Sequence, residues 1–297
     1  MLRVSPEEHK FFEVSWKISN KCNFNCPYCV RVLKKDDEEP DYINIACRIN
    51  DFFNREQPEN GQLYITGGEP FLWPLETLFD GILTSPYLKL VRITSNMSLP
   101  TDRYLLARRL LESNGKSFLL KGSLHQTNRD DQIAFIRKCK DAKVNCINIV
   151  CNDDNYVDYI LLLQNFNFDG DRTVIVDGWK MDINWMVERL TGGGVPDNVR
   201  TIPRKSRTFQ ISENGCNCSA GQTTIRVEPN GDIKRCASTE VIGNVKDGIP
   251  AINEPYLCRR KTCPGCYNIW VYNRENINFI HRYGRTTEQI KQEGDYE

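Results

Sequence analysis

The sequence predicts an α/β protein: a partial (β/α)6 TIM-like barrel followed by a small cysteine-rich module built from a β-hairpin and a helix. Three observations carry this. Through the first two thirds of the chain, short alternating or β-branched runs recur between stretches of helical spacing. Six such units fall short of the eight that close a barrel of about 250 residues. After about Thr191 the pattern changes, and Cys216, Cys218, Cys236, Cys258, Cys263 and Cys266 crowd the last third.

The strands are expected at Phe12 to Ser19, Gln62 to Thr66, Leu90 to Thr94, Phe118 to Leu124, Val144 to Cys151 and Thr173 to Val176. Between them, Asp41 to Phe53 places Ile43, Ala46, Cys47 and Ile49 on one side of a helix. Leu75 to Leu83 follows Pro74, a good first-turn residue. Thr101 to Leu111 begins with Thr101 as its expected cap and ends near Gly115. Asp130 to Cys139 and Tyr156 to Leu163 complete the helices. Strands separated by helices imply crossover connections and hence a parallel sheet. The stretch TGGGVPDNVRTIP, from Thr191 to Pro203, reads as a linker. The expected division is therefore a barrel over 1–200 and a second domain over 201–297. Thr223 to Cys236 reads as a β-hairpin with Asn230-Gly231 at its turn, and Val271 to Arg282 as a closing helix.

The chain has 297 residues with 39 basic and 39 acidic side chains. A balanced charge argues against a general nucleic-acid or membrane-surface binder, since both require a basic field. The run Arg103, Arg108, Arg109 reads as a solvated helix face. The opening stretch has no apolar core of a signal peptide, and no run approaches a membrane span. The expectation is a cytoplasmic, reducing setting, where thirteen cysteines have little structural use. Metal or cluster ligation is the alternative.

Cys22, Cys26 and Cys29 stand in KCNFNCPYC, directly after the first expected strand. Three thiolates on one loop suit a four-iron, four-sulfur cluster, leaving one iron open to a small molecule. The competing reading is a zinc knuckle, but zinc usually takes a fourth protein ligand, and no histidine or cysteine lies close by. This loop resembles the signature of the radical S-adenosylmethionine superfamily: C-x3-C-x2-C after the first strand of a partial barrel, with an aromatic residue, here Tyr28, before the last cysteine. The resemblance implies that Cys22, Cys26 and Cys29 hold the cluster. It further implies that the open iron takes the amino and carboxylate groups of S-adenosylmethionine, and that one electron cleaves the sulfonium to methionine and a 5′-deoxyadenosyl radical.

Gly67, Gly68, Glu69 and Pro70 follow the second strand, where the superfamily carries a GGE motif. Glycines there let backbone approach a ligand closely, and Glu69 adds charge or braces the loop. The third strand ends in Thr94, Ser95 and Asn96, which gives Ser95 as a further cofactor contact. The resemblance also implies Ser123 against the methionine carboxylate or ribose, and Asn152 near the adenine. His125 is either a donor or proton carrier for substrate or a histidine satisfying a loop carbonyl. Cys47, Cys139, Cys146 and Cys151 read as packing residues.

In the last third, Cys218, Gly231 and Cys236 match C-x12-G-x4-C, and Cys263-Pro-Gly-Cys266 presents a tight pair. By itself this is a zinc ribbon or an iron–sulfur site. It resembles the twitch form of the SPASM extension, which implies one auxiliary four-iron, four-sulfur cluster on Cys218, Cys236, Cys263 and Cys266. Cys216 and Cys258 are reserves: either replaces a ligand or donates a hydrogen atom near substrate. The whole resemblance implies a radical enzyme with two clusters that oxidatively modifies a small polar molecule or a ribosomal peptide. The auxiliary cluster accepts an electron or anchors substrate, and flavodoxin or ferredoxin supplies the reducing electron. The alternatives are an RNA-modifying radical enzyme and a non-catalytic zinc-binding adaptor.

Overall fold

A computed structural model describes residues 11–26, 29, 40–125, 129–151, 173–178, 199–203, 209–210, 216–218, 220–236, 239–252, 256–258, 262–263, 271–272 and 279–280. Tyr28, Asn152, Cys266 and the helix expected at Tyr156 to Leu163 lie outside these residues.

The first strands alternate with helices as expected: β1 (Phe11–Lys17), α1 (Tyr42–Glu56), β2 (Asn60–Thr66), α2 (Leu75–Gly81), β3 (Leu88–Ser95), α3 (Thr101–Ser113), β4 (Ser117–Leu124), α4 (Arg129–Asp141), β5 (Cys146–Cys151) and β6 (Thr173–Gly178). Asp41 caps α1, its Oδ1 accepting from the Asn44 N–H at 3.2 Å. At α3 the cap is Pro100, and Thr101 is already helical. β1 to β6 pair in sequence order, all parallel.

The sequence-based reading of 191–203 as linker is corrected at its end, where Val199–Pro203 forms β7, parallel to β6. Only backbone pairing distinguishes VRTIP from a loop after three glycines, and Pro203 sits at the strand's last position, where its missing N–H costs least.

The hairpin also does more than expected. It comprises β10 (Thr224–Val227) and β11 (Asp232–Lys234), with β12 (Val241–Asn244) added antiparallel. Its loop is Pro229-Asn230-Gly231, with Gly231 at φ +83° and the Glu228 N–H donating to Asp232 O at 2.9 Å. β10 lies parallel to β1, so the sheet runs β12-β11-β10-β1-β2-β3-β4-β5-β6-β7.

One face of this sheet carries the helices. Val14, Trp16, Ile18, Leu63, Ile65, Val91, Ile93, Leu120, Ile225 and Ile233 share a single core with Ile49, Phe53, Leu78, Leu111 and Ile136 of the helices. Full burial of each aliphatic side chain contributes about 1.5–3 kcal/mol. Because strand side chains alternate, the residues between them face the other, inner side of the partial barrel.

Further pieces are a four-stranded sheet of β13 (Tyr256–Cys258), β9 (Cys216–Cys218), β15 (Val271–Tyr272) and β16 (Phe279–Ile280), and a pair of β14 (Thr262–Cys263) with β8 (Phe209–Gln210). The helix expected at Val271 to Arg282 is therefore replaced at both its ends by antiparallel strand, Val271 opposite Ile280 and Tyr272 opposite Phe279. Those four β-branched and aromatic residues pair better across strands than along a helix.

Cys47 also departs from expectation. The stripe α1 buries is Ile45, Ala46, Ile49, Phe52 and Phe53, which leaves Cys47 exposed on the opposite side. Cys139 is buried in the core as expected, and Cys146 is half-buried.

Candidate active site

β1 ends at Lys17, and the chain passes directly into the segment bearing Cys22, Cys26 and Cys29, all partly buried and none in a disulfide. The Cys29 N–H donates to Cys26 O at 3.0 Å. Two N–H donors meet the Cys22 sulfur: the Phe24 backbone at 3.4 Å and the Asn96 side chain at 3.8 Å.

The turn after β2 is zipped to this segment. The Gly68 N–H donates to Ser19 O at 2.7 Å and the Glu69 N–H to Lys21 O at 2.9 Å. Gly67 sits at φ +138°, and a Cβ there would lie 2.4 Å from Ser19 O. No other residue type fits this approach.

Glu69 is buried and braces the loop. Its Oε1 accepts from the Phe71 N–H at 3.1 Å and the Ser95 hydroxyl at 2.9 Å, and its Oε2 from the Asn96 N–H at 2.6 Å. Pro70 opens a 3-10 turn, Pro70–Leu72. Arg103, expected on a solvated face, holds that turn instead, donating to Phe71 O at 2.8 Å and Trp73 O at 3.2 Å. Arg108 likewise donates to Lys143 O at 2.7 Å and lies over Phe118. Helical spacing alone does not separate a cation pointing to water from one reaching a neighbouring carbonyl.

Ser95 faces the helices, bonded to Glu69 and close to the Tyr104 hydroxyl, which accepts from the Leu99 N–H at 3.0 Å. Burial, with the Glu69 charge adding to it, pushes the Tyr104 phenol from 10 up to about 12. A folded-state pKa above the unfolded one means stability is complete below about pH 10 and is lost as pH rises toward 12. Urea unfolding at pH 9 and pH 11.5 is expected to show a fall of up to about 2 kcal/mol that Tyr104→Phe lacks. An equal fall in both proteins would exclude Tyr104 as its source.

Sequence reasoning named Asn96 only as a strand end. The structure makes it the joint of three segments: its side chain also donates to Asn23 Oδ1 at 2.9 Å and accepts from the Ser98 N–H at 2.9 Å, while Asn23 donates to Ser98 Oγ at 2.8 Å. A polar residue one step beyond a buried strand end was the available signal. His125 follows β4 and meets Phe24 of the cysteine loop edge-on, ring centroids 6.2 Å apart. Ser123 is buried, in register with Asn148 of β5.

Among solved structures the chain is similar to SuiB of Streptococcus suis, at 17% identity and a TM-score of 0.53, covering 81% of this chain and 65% of that one. It is similar to anSMEcpe with bound AdoMet, at 17% identity and 0.51, covering 80% and 79%. It matches the same protein with AdoMet and the Cp18Cys peptide at 16% and 0.50, covering 80% and 78%. The chain shares its fold with these structures. No family model and no curated protein matches the chain. The chain spans just under two thirds of the length of SuiB.

A loop of three thiols beside the GGEP turn has the donor set that an iron–sulfur cluster takes. Among the described residues, no three His, Cys, Asp or Glu side chains gather about one point as ligands of a single metal ion do. In a cubane each thiolate binds its own iron, so the three thiols of this loop could hold one.

In the second cysteine group, Cys236 and Cys258 pack against the buried Cys218, whose sulfur accepts from the Ala220 N–H at 3.4 Å. Cys258 is also in register with Cys216. Cys263 lies in β14, opposite Phe209.

Proposed function

We propose that this protein is a radical S-adenosylmethionine enzyme that abstracts hydrogen from its substrate in an oxidative modification. The observation that carries the reading is the zipping of the GGEP turn onto the cysteine loop. Two motifs about forty residues apart in sequence become one surface at the C-terminal end of β1 and β2. Cys22, Cys26 and Cys29 would hold the cluster, which supplies one electron to cleave bound S-adenosylmethionine to methionine and a 5′-deoxyadenosyl radical.

The chain's own residues supply the rest. Donors from Phe24 and Asn96 to the Cys22 sulfur tune the potential of whatever that sulfur binds. Glu69 fixes the turn against which the cofactor's methionine end would lie. The packing of Cys258 beside Cys218 and Cys236 favours it as an auxiliary ligand over a hydrogen-atom donor.

The test is anaerobic. Reconstituted protein is incubated with S-adenosylmethionine and dithionite, and 5′-deoxyadenosine is followed by chromatography. Its formation, with about eight irons per chain, is expected; no 5′-deoxyadenosine from iron-loaded protein would exclude the reading. Zinc in place of the second four irons would exclude the auxiliary cluster alone.

A further inference from the structure

A thiol bonds to another thiol as well as to iron, and strand register decides which thiols are within reach. Cys146 stands opposite Lys121 and Thr173, and Cys151 opposite Gly178. Cys218 has Tyr256 on one side and Val271 on the other, and Cys263 has Phe209. Of the described strand cysteines, only Cys216 of β9 and Cys258 of β13 stand opposite each other, across one antiparallel rung.

Directly opposed residues of an antiparallel pair have Cα atoms about 4.5 or 5.5 Å apart, depending on the type of rung. Both values lie inside the range of about 4.4–6.8 Å that a disulfide spans. A diagonal neighbour, about 7–8 Å away, lies outside it. Cys218 is two residues along β9 from Cys216 and is therefore diagonal to Cys258. It is close enough to pack against Cys258 and too far to bond to it without a shift of backbone. Cys258 is a half-buried free thiol, partly open to a small oxidant.

We propose that Cys216 and Cys258 form a reversible oxidation site, at which hydrogen peroxide produces a disulfide across β9 and β13. Peroxide oxidises one thiol to the sulfenic acid and leaves as water. The second thiol then displaces another water and closes the S–S bond. Two thiols lose two electrons and two protons, and one peroxide becomes two waters. In a reducing compartment such pairs form transiently and sense oxidant. The bond takes Cys258 from its neighbours Cys218 and Cys236, so disulfide and auxiliary-cluster ligation by Cys258 exclude each other. That exclusion rests on the enzymatic reading, and the disulfide itself does not. The ring it closes contains β10, β11 and β12, and closing it restricts the unfolded chain and raises the melting temperature.

The experiment treats the iron-free full chain anaerobically with one equivalent of hydrogen peroxide and maps its non-reduced tryptic peptides by tandem mass spectrometry. A link from Cys216 to Cys258 is expected as the main disulfide of Cys258, reversed by dithiothreitol and accompanied by a higher melting temperature. Cys216→Ser is expected to lose both the link and the rise, and Cys218→Ser to keep both. Cys258 joined mainly to Cys218 or Cys236, or oxidised onward to the sulfinic acid, would overturn the proposal. The reconstituted chain, treated alike, is expected to show about tenfold less of the link, because its auxiliary cluster holds Cys258. Equal amounts in loaded and iron-free protein would overturn the exclusion. Production of 5′-deoxyadenosine by the untreated, reconstituted preparation tests the enzymatic reading separately.

Discussion

Replacing Cys22, Cys26 and Cys29 together by alanine is expected to abolish 5′-deoxyadenosine formation and to leave the protein folded. The three side chains sit on a partly exposed loop beyond β1 and contribute nothing to the core that joins Val14, Trp16 and Ile18 to the helices. Their loss removes ligands and little packing. Iron after reconstitution is expected to fall from about eight to about four per chain, with the far-ultraviolet circular dichroism unchanged. A triple variant that kept its full iron and still cleaved S-adenosylmethionine would exclude this loop as the cluster site.

Glu69→Gln is expected to be the most damaging conservative change in the site. The carboxylate accepts through both oxygens, from Phe71 and Ser95 on one and from Asn96 on the other. An amide has one acceptor oxygen. Whichever way it is turned, its NH2 faces a backbone N–H, of Phe71 or of Asn96, that cannot accept from it. Loss of a buried hydrogen bond to a charged group, with the donor left unsatisfied, costs about 3 kcal/mol. In a domain of this size that lowers the melting temperature by about 6–12 °C. Because Asn96 also donates to Cys22 and Asn23, the damage travels to the cysteine loop. Affinity for S-adenosylmethionine, followed by equilibrium dialysis, should fall together with stability. Ser95→Ala removes one donor, leaving the Phe71 N–H on the same oxygen, and takes the acceptor from the Met97 N–H, so a loss of about 1–2 kcal/mol is expected. Equal effects of the two substitutions would show that the second oxygen contributes nothing.

The βα alternation was legible because a strand and an amphipathic helix imprint different periods on the sequence. Both motifs of the site were legible because their chemistry is concentrated in a few residues at fixed spacing. What escaped was set by partners far away in the chain. Val199–Pro203 is a strand because β6 offers it a ladder, and nothing local distinguishes it from a loop. Val271 and Tyr272 became strand through Cys218 and Asn217 on one side and Phe279 and Ile280 on the other. Cys47 sits one residue from the buried Ala46, a rotation that carries it out of the stripe. The ion pairs of Glu228 with Lys17, Arg226 and Lys234 were invisible for a related reason: these residues meet through pairing between β1, β10 and β11.

The parallel seating of β10 against β1 bears on how the chain acquires its structure. During synthesis from the N-terminus, β1 emerges early, and its second edge stays open until Thr224–Val227 has been made. Such an edge offers unpaired N–H and C=O groups to any other extended segment. The pairing also joins residues more than two hundred positions apart, a loop closure that slows the final step of assembly. The cysteine loop, which continues directly from β1, therefore has a window in which its supporting strand is ribbon on one side only. Shielding of that edge would protect the nascent barrel and the cysteine loop together.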